Sequence, residues 1–335
     1  MVSVRIRTPL AFLNSYAMVI GIFLFTWVQS LGAQAQTEAP ILWSIAFSSD
    51  GNNMAYGGSD GVLHRRGLSA PFLHDSLRIV GTITRVVWHP KLPVLAVCTQ
   101  LSAQAPFIID YRNGRQIPLL GIAADGARGM TWNSEGTQLA LGDNDGRISI
   151  FDSSGTRLRT FTSGSTKSLT ALAWQPKSDM LVALGDSIRM LRSSGEIIHV
   201  WAHRTQPVLL LSVAWHPSGR FFVTGDYGDT ELGLKPWLQF WNADGSAIRT
   251  VTGSEAEYRN MEWNASGSRL ATTSDALRIW SSDGRLQHTG SASSLLWGLS
   301  WRFDGRQLLS SSLDGRVQFW NARARLLRAP ISGMQ

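Results

Sequence analysis

The stretch TWNSEGTQLALGDNDGRISIFD, residues 131–152, reads as three short strands joined by two tight reversals. Met130 and Trp132 are apolar and two residues apart, so they share one face of an extended strand. Asn133-Ser134-Glu135-Gly136 is turn chemistry, with Gly supplying a positive φ. A second strand runs through Ala140, Asp145-Gly146 reverses the chain, and a third strand ends at Phe151.

The same pattern recurs along the chain. Its aromatic stands at Phe47, Trp88, Trp132, Trp174, Trp215, Trp263 and Trp301, with spacings of 41, 44, 42, 41, 48 and 38 residues. Two residues earlier come Ile45, Val86, Met130, Leu172, Val213, Met261 and Leu299. Eight residues later come Ala55, Ala96, Ala140, Val182, Val223, Ala271 and Leu309. Third strands end in Phe151, Leu191, Trp241, Trp280 and Trp320, while Arg66 and Asp110 align there in the first two repeats. A further turn, such as residues 153–155, leads to a fourth strand such as Leu158–Thr162. Four strands in about 40 residues is the period of a propeller blade. Two sheets packed as a sandwich would not require so regular a sevenfold period.

With these residues in place, the chain resembles the WD40 repeat family over essentially all of residues 41–333. The resemblance implies an all-β fold: a seven-bladed WD40-like β-propeller of four-stranded antiparallel blades. The expected blades are 41–80, 82–122, 126–165, 168–204, 208–252, 257–290 and 295–333, within a domain of residues 36–335. The departures carry expectations too. The Trp-Asp pair survives only as Phe151-Asp152, and the Gly-His pair before the first strand is missing throughout. The family's buried Asp–His–Ser/Thr–Trp network is therefore expected to be absent, leaving packing to hold the blades. Blade 7 carries its own fourth strand, Arg325–Ile331, so the ring closes by contact between blades 7 and 1, without strand exchange.

Residues 1–35 stand apart. Arg5 and Arg7 precede an uncharged run whose apolar core is Ala17–Val28, followed by Ala33-Gln34-Ala35. This is the order of a secretory signal peptide, with cleavage expected after Ala35. The competing reading is an uncleaved anchor, but the 12-residue core falls short of the ~20 residues of a spanning helix. The expected location is periplasmic or extracellular, with no stable membrane span after cleavage. Loss of Arg5 and Arg7 lowers the formal net charge from +7 to +5, and the remaining charges are scattered. No nucleic-acid partner is expected from so diffuse a distribution. Cys98, the single cysteine, reads as a small buried hydrophobe.

No nucleophile elbow, phosphate loop, zinc motif or cofactor motif appears, so neither a catalytic residue nor a cofactor is expected. His89-Pro90, Gln175-Pro176 and His216-Pro217 occupy one equivalent turn, which reads as structure. The Asn264-Ala265-Ser266 sequon falls at a blade turn. Glu262 is an inner-strand carboxylate, expected in a salt bridge with Arg259 or with an arginine of a neighbouring blade. Asp226, Asp229 and Glu231 crowd the long loop 225–236, where a functional acidic loop and a solvated excursion weigh equally.

The resemblance further implies that partners dock on the face where chains enter the innermost strands. The residues placed there are Trp43, Arg128, Arg259, Trp297 and Leu211, with Ile41 and Leu295 beside the two tryptophans. Trp and Arg are the residues most enriched in binding hot spots. The alternative is that both tryptophans turn inward and seal the seam between blades 1 and 7. The function expected is non-catalytic binding of a protein or peptide. The alternative is a propeller enzyme or glycan-binding module using the central pocket, with Glu262, Arg259 and the 226–231 carboxylates.

Overall fold

The computed structural model describes residues 39–69, 73–101 and 104–332. The segment read as a signal peptide lies outside these residues. The described chain forms twenty-eight strands in seven four-stranded antiparallel sheets, each built from four consecutive strands. No α-helix occurs among the described residues, and none there is long and apolar enough to cross a membrane. The fold is the expected seven-bladed propeller.

The first strands are Leu42–Phe47, Thr82–Trp88, Ala127–Trp132, Ala171–Trp174, Leu210–Trp215, Asn260–Trp263 and Leu296–Trp301. Each packs against the first strand of the next blade, and the last returns to the first, so they line the axis. In the third blade Trp132 pairs with Leu139, and Leu139 pairs with Phe151. The repeat's arithmetic explains the packing. Met130, Trp132, Leu139 and Phe151 lie on the face that meets blade 2, while Ala140 and Ile150 lie on the face that meets blade 4. Each blade thus presents one apolar face forward and one back. Seven buried clusters result, one at each interface.

Closure obeys the same rule. The cluster between blades 7 and 1 contains Leu42, Ile45, Phe47, Leu309, Val317 and Phe319. Across the seam Phe47 N donates to Ser300 Oγ (3.1 Å) and Ser311 Oγ donates to Leu42 O (2.8 Å). Gly298 permits this approach, since a Cβ there would stand 2.8 Å from Ile45 N. The fourth strand of blade 7 comes from the chain's own end, but it is shorter than expected. Among the described residues only Ile331–Ser332 form a ladder, with one isolated bridge between Trp320 and Leu326. Pro330 has no N–H to offer, which interrupts the pairing.

The turn equivalence of His89, Gln175 and His216 acquires a physical role. The Nε2 groups of His89, Gln175 and His216 lie 2.8, 2.7 and 3.0 Å from the carbonyls of Gly136, Gly219 and Gly267, each in the following blade. The Nδ1 atom of His89 accepts from the Lys91 and Leu92 amides, so its Nε2 is the donor. These bonds clamp successive blades at one end of the barrel of first strands.

Packing is not the only thing holding the blades, which corrects the expectation drawn from the missing Gly-His pair. In blade 5 Trp241 Nε1 donates to Thr224 Oγ1 (2.7 Å), and Thr224 Oγ1 lies 3.0 Å from His203 Nδ1. His203 Nε2 lies 3.0 Å from Asp226 Oδ2. One proton arrangement fits the inner part, Trp N–H to Thr O and Thr O–H to Nδ1, while Nε2 stands beside the carboxylate without the alignment of a hydrogen bond. The histidine follows Ala202 instead of a glycine. Blades 6 and 7 keep only the inner part, Trp280 Nε1 to Thr272 Oγ1 and Trp320 Nε1 to Ser310 Oγ, each 2.9 Å.

Candidate functional site

At the entry end of the first strands, four successive blades place Leu211, Arg259, Trp297 and Trp43 in corresponding positions. Sheet register slips beside three of them, at Leu210/Ser212, Leu296/Leu299 and Leu42/Ser44. A bulged residue leaves the ladder and re-aims its side chain. The Arg259 guanidinium lies 3.2 Å from the centroid of the Trp297 ring. The Trp297 and Trp43 rings meet edge to face, with centroids 4.2 Å apart and planes at 70°. Glu257 makes an ion pair with Arg259. The result is a continuous ladder, Glu257–Arg259–Trp297–Trp43, spanning blades 6, 7 and 1.

Both tryptophans are half-buried, so they brace the seam and still present ring surface outside it. Cation–π and edge-to-face contacts each contribute on the order of 1 kcal/mol. Burial pushes the Arg259 guanidinium down to about 10, which leaves it charged at neutral pH. Ile41 and Leu295 flank the ladder as half-buried residues tied by backbone bonds, Ser59 N to Ile41 O and Leu313 N to Leu295 O, both 2.9 Å. Arg128 stands apart on blade 3, exposed, donating through Nε to Gln100 Oε1 (3.0 Å). The structure therefore joins Arg259, Trp297 and Trp43 and does not bring Arg128 to them.

The three loop carboxylates do not converge. Asp226 is wholly buried; its Oδ2 takes Arg204 and faces His203, and its Oδ1 accepts Gly228 N (3.0 Å) and Trp237 N (2.8 Å). It organises the base of the loop from inside the blade and offers nothing to an ion outside. Asp229 Oδ1 caps the Leu232 amide (3.0 Å), and Glu231 is exposed. Among the described residues no group of three His, Cys, Asp or Glu is arranged to hold a metal. Asn264 is also buried, its amide bonding Ser268 Oγ and accepting the Arg269 N–H, so a glycan there would break the turn. Cys98 is a buried free thiol in the blade 2–3 core, pushed up to about 12 by desolvation, which makes it unreactive.

The expected salt bridge of Glu262 is not formed among the described residues. Arg259 precedes the strand and turns to the mouth, where Glu257 takes it, while Glu262 faces the axis. Glu262 Oε2 accepts the backbone N–H of Trp301 (3.1 Å). The nearest cation acting on it is Arg85, from blade 2, too far away for an ion pair. Sequence reasoning passed over Arg85. A signal existed: it stands three residues before Trp88, where other blades carry Ser44, Gly129, Ala171, Ser212, Asn260 and Gly298.

Comparison with known proteins fits this geometry. The family described as "WD domain, G-beta repeat" matches residues 195–230 and 284–321. The second match runs from the fourth strand of blade 6 through the third strand of blade 7, and the first starts likewise in blade 4. The chain is a seven-bladed propeller, and two of its segments match the WD-repeat model. It is similar to the WD repeat-containing protein slp1 of Schizosaccharomyces pombe, 30% identical over 168 residues, 47% of this chain and 31% of that protein. It is similar to the F-box-like/WD repeat-containing protein TBL1X of Homo sapiens, 26% identical over 53% of this chain and 25% of that protein. It is also similar to the anaphase-promoting complex subunit cdc20 of Dictyostelium discoideum, 22% identical over 48% of this chain and 32% of that protein. The chain spans a third or less of the length of these relatives.

Proposed function

We propose that this chain is an exported, non-catalytic scaffold that binds a protein or peptide at the mouth carrying Trp43, Trp297 and Arg259. The observation that carries the reading is the ladder itself. Two half-buried indoles and a stacked guanidinium form a rigid patch of hot-spot composition, built by first strands that seven apolar interfaces hold in place. A preorganised surface loses little entropy on binding. Similarity to a protein named as a subunit of a multiprotein complex supports the same reading. Export rests on Arg5, Arg7, the apolar core 17–28 and Ala33-Gln34-Ala35.

Cross-linked capture from the native envelope fraction tests the docking face. Wild type is compared with a Trp43→Ala/Trp297→Ala variant first shown to be folded. A partner recovered with wild type and lost with the folded variant is the expected result. Equal recovery would overturn the placement. N-terminal mass analysis of the exported chain tests the leader: the expected first residue is Gln36, and a retained Met1 would refute cleavage.

A further inference from the structure

The axis holds a cavity of about 230 Å³, walled by the first strands of blades 6, 7, 1 and 2. It runs from Ser44 and Asn260, next in the chain to Trp43 and Arg259, to Ser49, His89 and Pro90, just beyond the ends of the first strands of blades 1 and 2. Its volume is below the ~300–1,000 Å³ of sites for drug-sized ligands, and suits a molecule of a few heavy atoms.

The polar side chains of this cavity are unusual in what they leave unengaged. Arg85 makes no hydrogen bond and no ion pair with the described residues. Ser44 Oγ accepts the Val86 N–H (3.1 Å) and Ser300 Oγ accepts the Phe47 N–H (3.1 Å), which leaves both hydroxyl hydrogens uncommitted. The Asn260 carbonyl oxygen accepts the Met261 N–H (2.9 Å), so its NH₂ is uncommitted. Glu262 has one oxygen on the Trp301 N–H and the other without a partner. A desolvated guanidinium with no ion-pair partner among the described residues, ringed by spare donors, is a complement to a negative charge.

We propose that this axial cavity binds a small carboxylate anion, gripped by the Arg85 guanidinium and received by the Ser44 and Ser300 hydroxyls, the Asn260 amide and the Glu262 carboxyl acting as a donor. The planar fork of an arginine fits a carboxylate bidentately, and one cation among neutral donors matches one negative charge better than a phosphate dianion. Burial raises the Glu262 carboxyl to about 8, with the Trp301 N–H and the charge of Arg85 opposing that rise. At neutral pH it therefore carries its proton and can donate. Of the other titratable groups, His89 lines this cavity, its ring committed to its own blade and to Gly136, and Lys177 lines a second cavity that shares Met261 and Glu262 with it. The proposal does not rest on the docking reading, since its ligand is held by axial side chains and not by the tryptophan ladder.

The full chain is titrated with propionate, with ethylammonium, and with a short peptide whose C-terminus is free or amidated. The backbone amide of Trp301, bonded to Glu262, is followed by NMR as the site-specific reporter, with calorimetry for affinity. Propionate shifts this amide in wild type. Arg85→Met weakens binding by about tenfold to a hundredfold, the loss of a charge-assisted pair. Affinity is flat between about pH 6 and 8, where propionate is ionised, and falls about tenfold per unit above that, because the ionised carboxyl repels the ligand. Glu262→Gln still binds, and its pH profile is flat. Tighter binding of the free peptide than of propionate, lost on amidation, identifies a chain terminus as the ligand's source; the reverse order identifies a free acid. An unperturbed Trp301 amide with every carboxylate, full affinity in folded Arg85→Met, or ethylammonium binding abolished by Glu262→Gln would each overturn the proposal. If Arg85→Met does not fold, the Glu262→Gln pH profile decides.

Discussion

Replacing Asp226 by alanine tests whether the polar network of blade 5 is a structural keystone or a by-product of packing. The carboxylate is wholly buried and has four neighbours of its own: Arg204, His203, and the amides of Gly228 and Trp237. Arg204 is equally buried; it has Lys235 O at 3.0 Å and the Trp237 ring 4.2 Å from its guanidinium carbon, but Asp226 is its only ion-pair partner among the described residues. Removing one member of a buried pair costs about 3–5 kcal/mol, chiefly because the other charge is stranded. Two orphaned amides act in the same direction, so about 4 kcal/mol is expected for Asp226→Ala, a large share of the ~5–15 kcal/mol that holds a typical domain. In a chain of this size that corresponds to a drop in Tm on the order of 10 °C. The assay is urea unfolding followed by tryptophan fluorescence. Arg204→Met supplies the control, since removing the stranded charge should return about 2 kcal/mol of the loss in the double variant. A cost below about 1 kcal/mol, or a double variant no more stable than Asp226→Ala, would refute the reasoning.

Three further outcomes follow from single contacts. A Cβ on Gly136, where φ is +76°, would stand 2.2 Å from the His89 ring, so Gly136→Ala should cost about 3 kcal/mol; in His89→Ala the same change should cost measurably less, and equal costs would dismiss the clamp. His64 is buried beside Tyr56, with Asp60, Arg66 and His74 acting on it, and desolvation lowers it to about 4. Its folded value lies below the ordinary 6.5, so the neutral ring stabilises the fold fully above that pH, and up to about 3 kcal/mol is lost as pH falls from 6.5 towards 4. Unfolding at pH 7 and 4.5 should show a smaller acid penalty in His64→Phe than in wild type, and identical penalties would contradict the assignment. Because Asp226 is consumed inside blade 5, neither calcium nor a chelator should move Tm by more than about 1 °C, and a larger shift on adding calcium would restore the acidic loop as a site.

The blade pattern was legible because three demands coincide in it. The residues two before the aromatic, Ile45 through Leu299, are buried in every blade, as are Ala55 through Leu309 at the second-strand position. Period two along a strand and tight turns between strands leave one register, and the register dictates which face meets which neighbour. The residues at the entry ends of the first strands were readable as positions for the same reason. What the sequence did not show is how Arg259 lies on Trp297, since the direction of a side chain leaving a bulge depends on its neighbours in space. The blade 5 network was hidden by a single methyl group: Ala202 precedes His203 where a glycine would have marked the motif, yet Thr224 and Asp226, two residues apart, already pointed to one face.

Glu262 shows why the axis escaped a reading that looked for pairs. A carboxylate inside a fold is ordinarily balanced by a cation within reach, and Arg259, three residues away, was the obvious choice in sequence. Three residues along an extended chain is an odd step, which sends the two side chains to opposite sides, and Arg259 lies on the stretch before the strand begins. The real electrostatic neighbour, Arg85, is 177 positions away in the chain and is brought near only because the ring closes through blades 7 and 1. The same closure creates both the ladder and the cavity. At the entry mouth, residues at the starts of first strands stack across the seam; along the axis, inward positions of four blades share a cavity. A variant that opens the seam should therefore disturb both at once. Gly298→Val, which drives a side chain into Ile45 of blade 1, is expected to lose the Trp43–Trp297 contact and the response of the Trp301 amide to propionate together. Loss of one with the other intact would show that the ladder and the cavity do not share the seam as their common support.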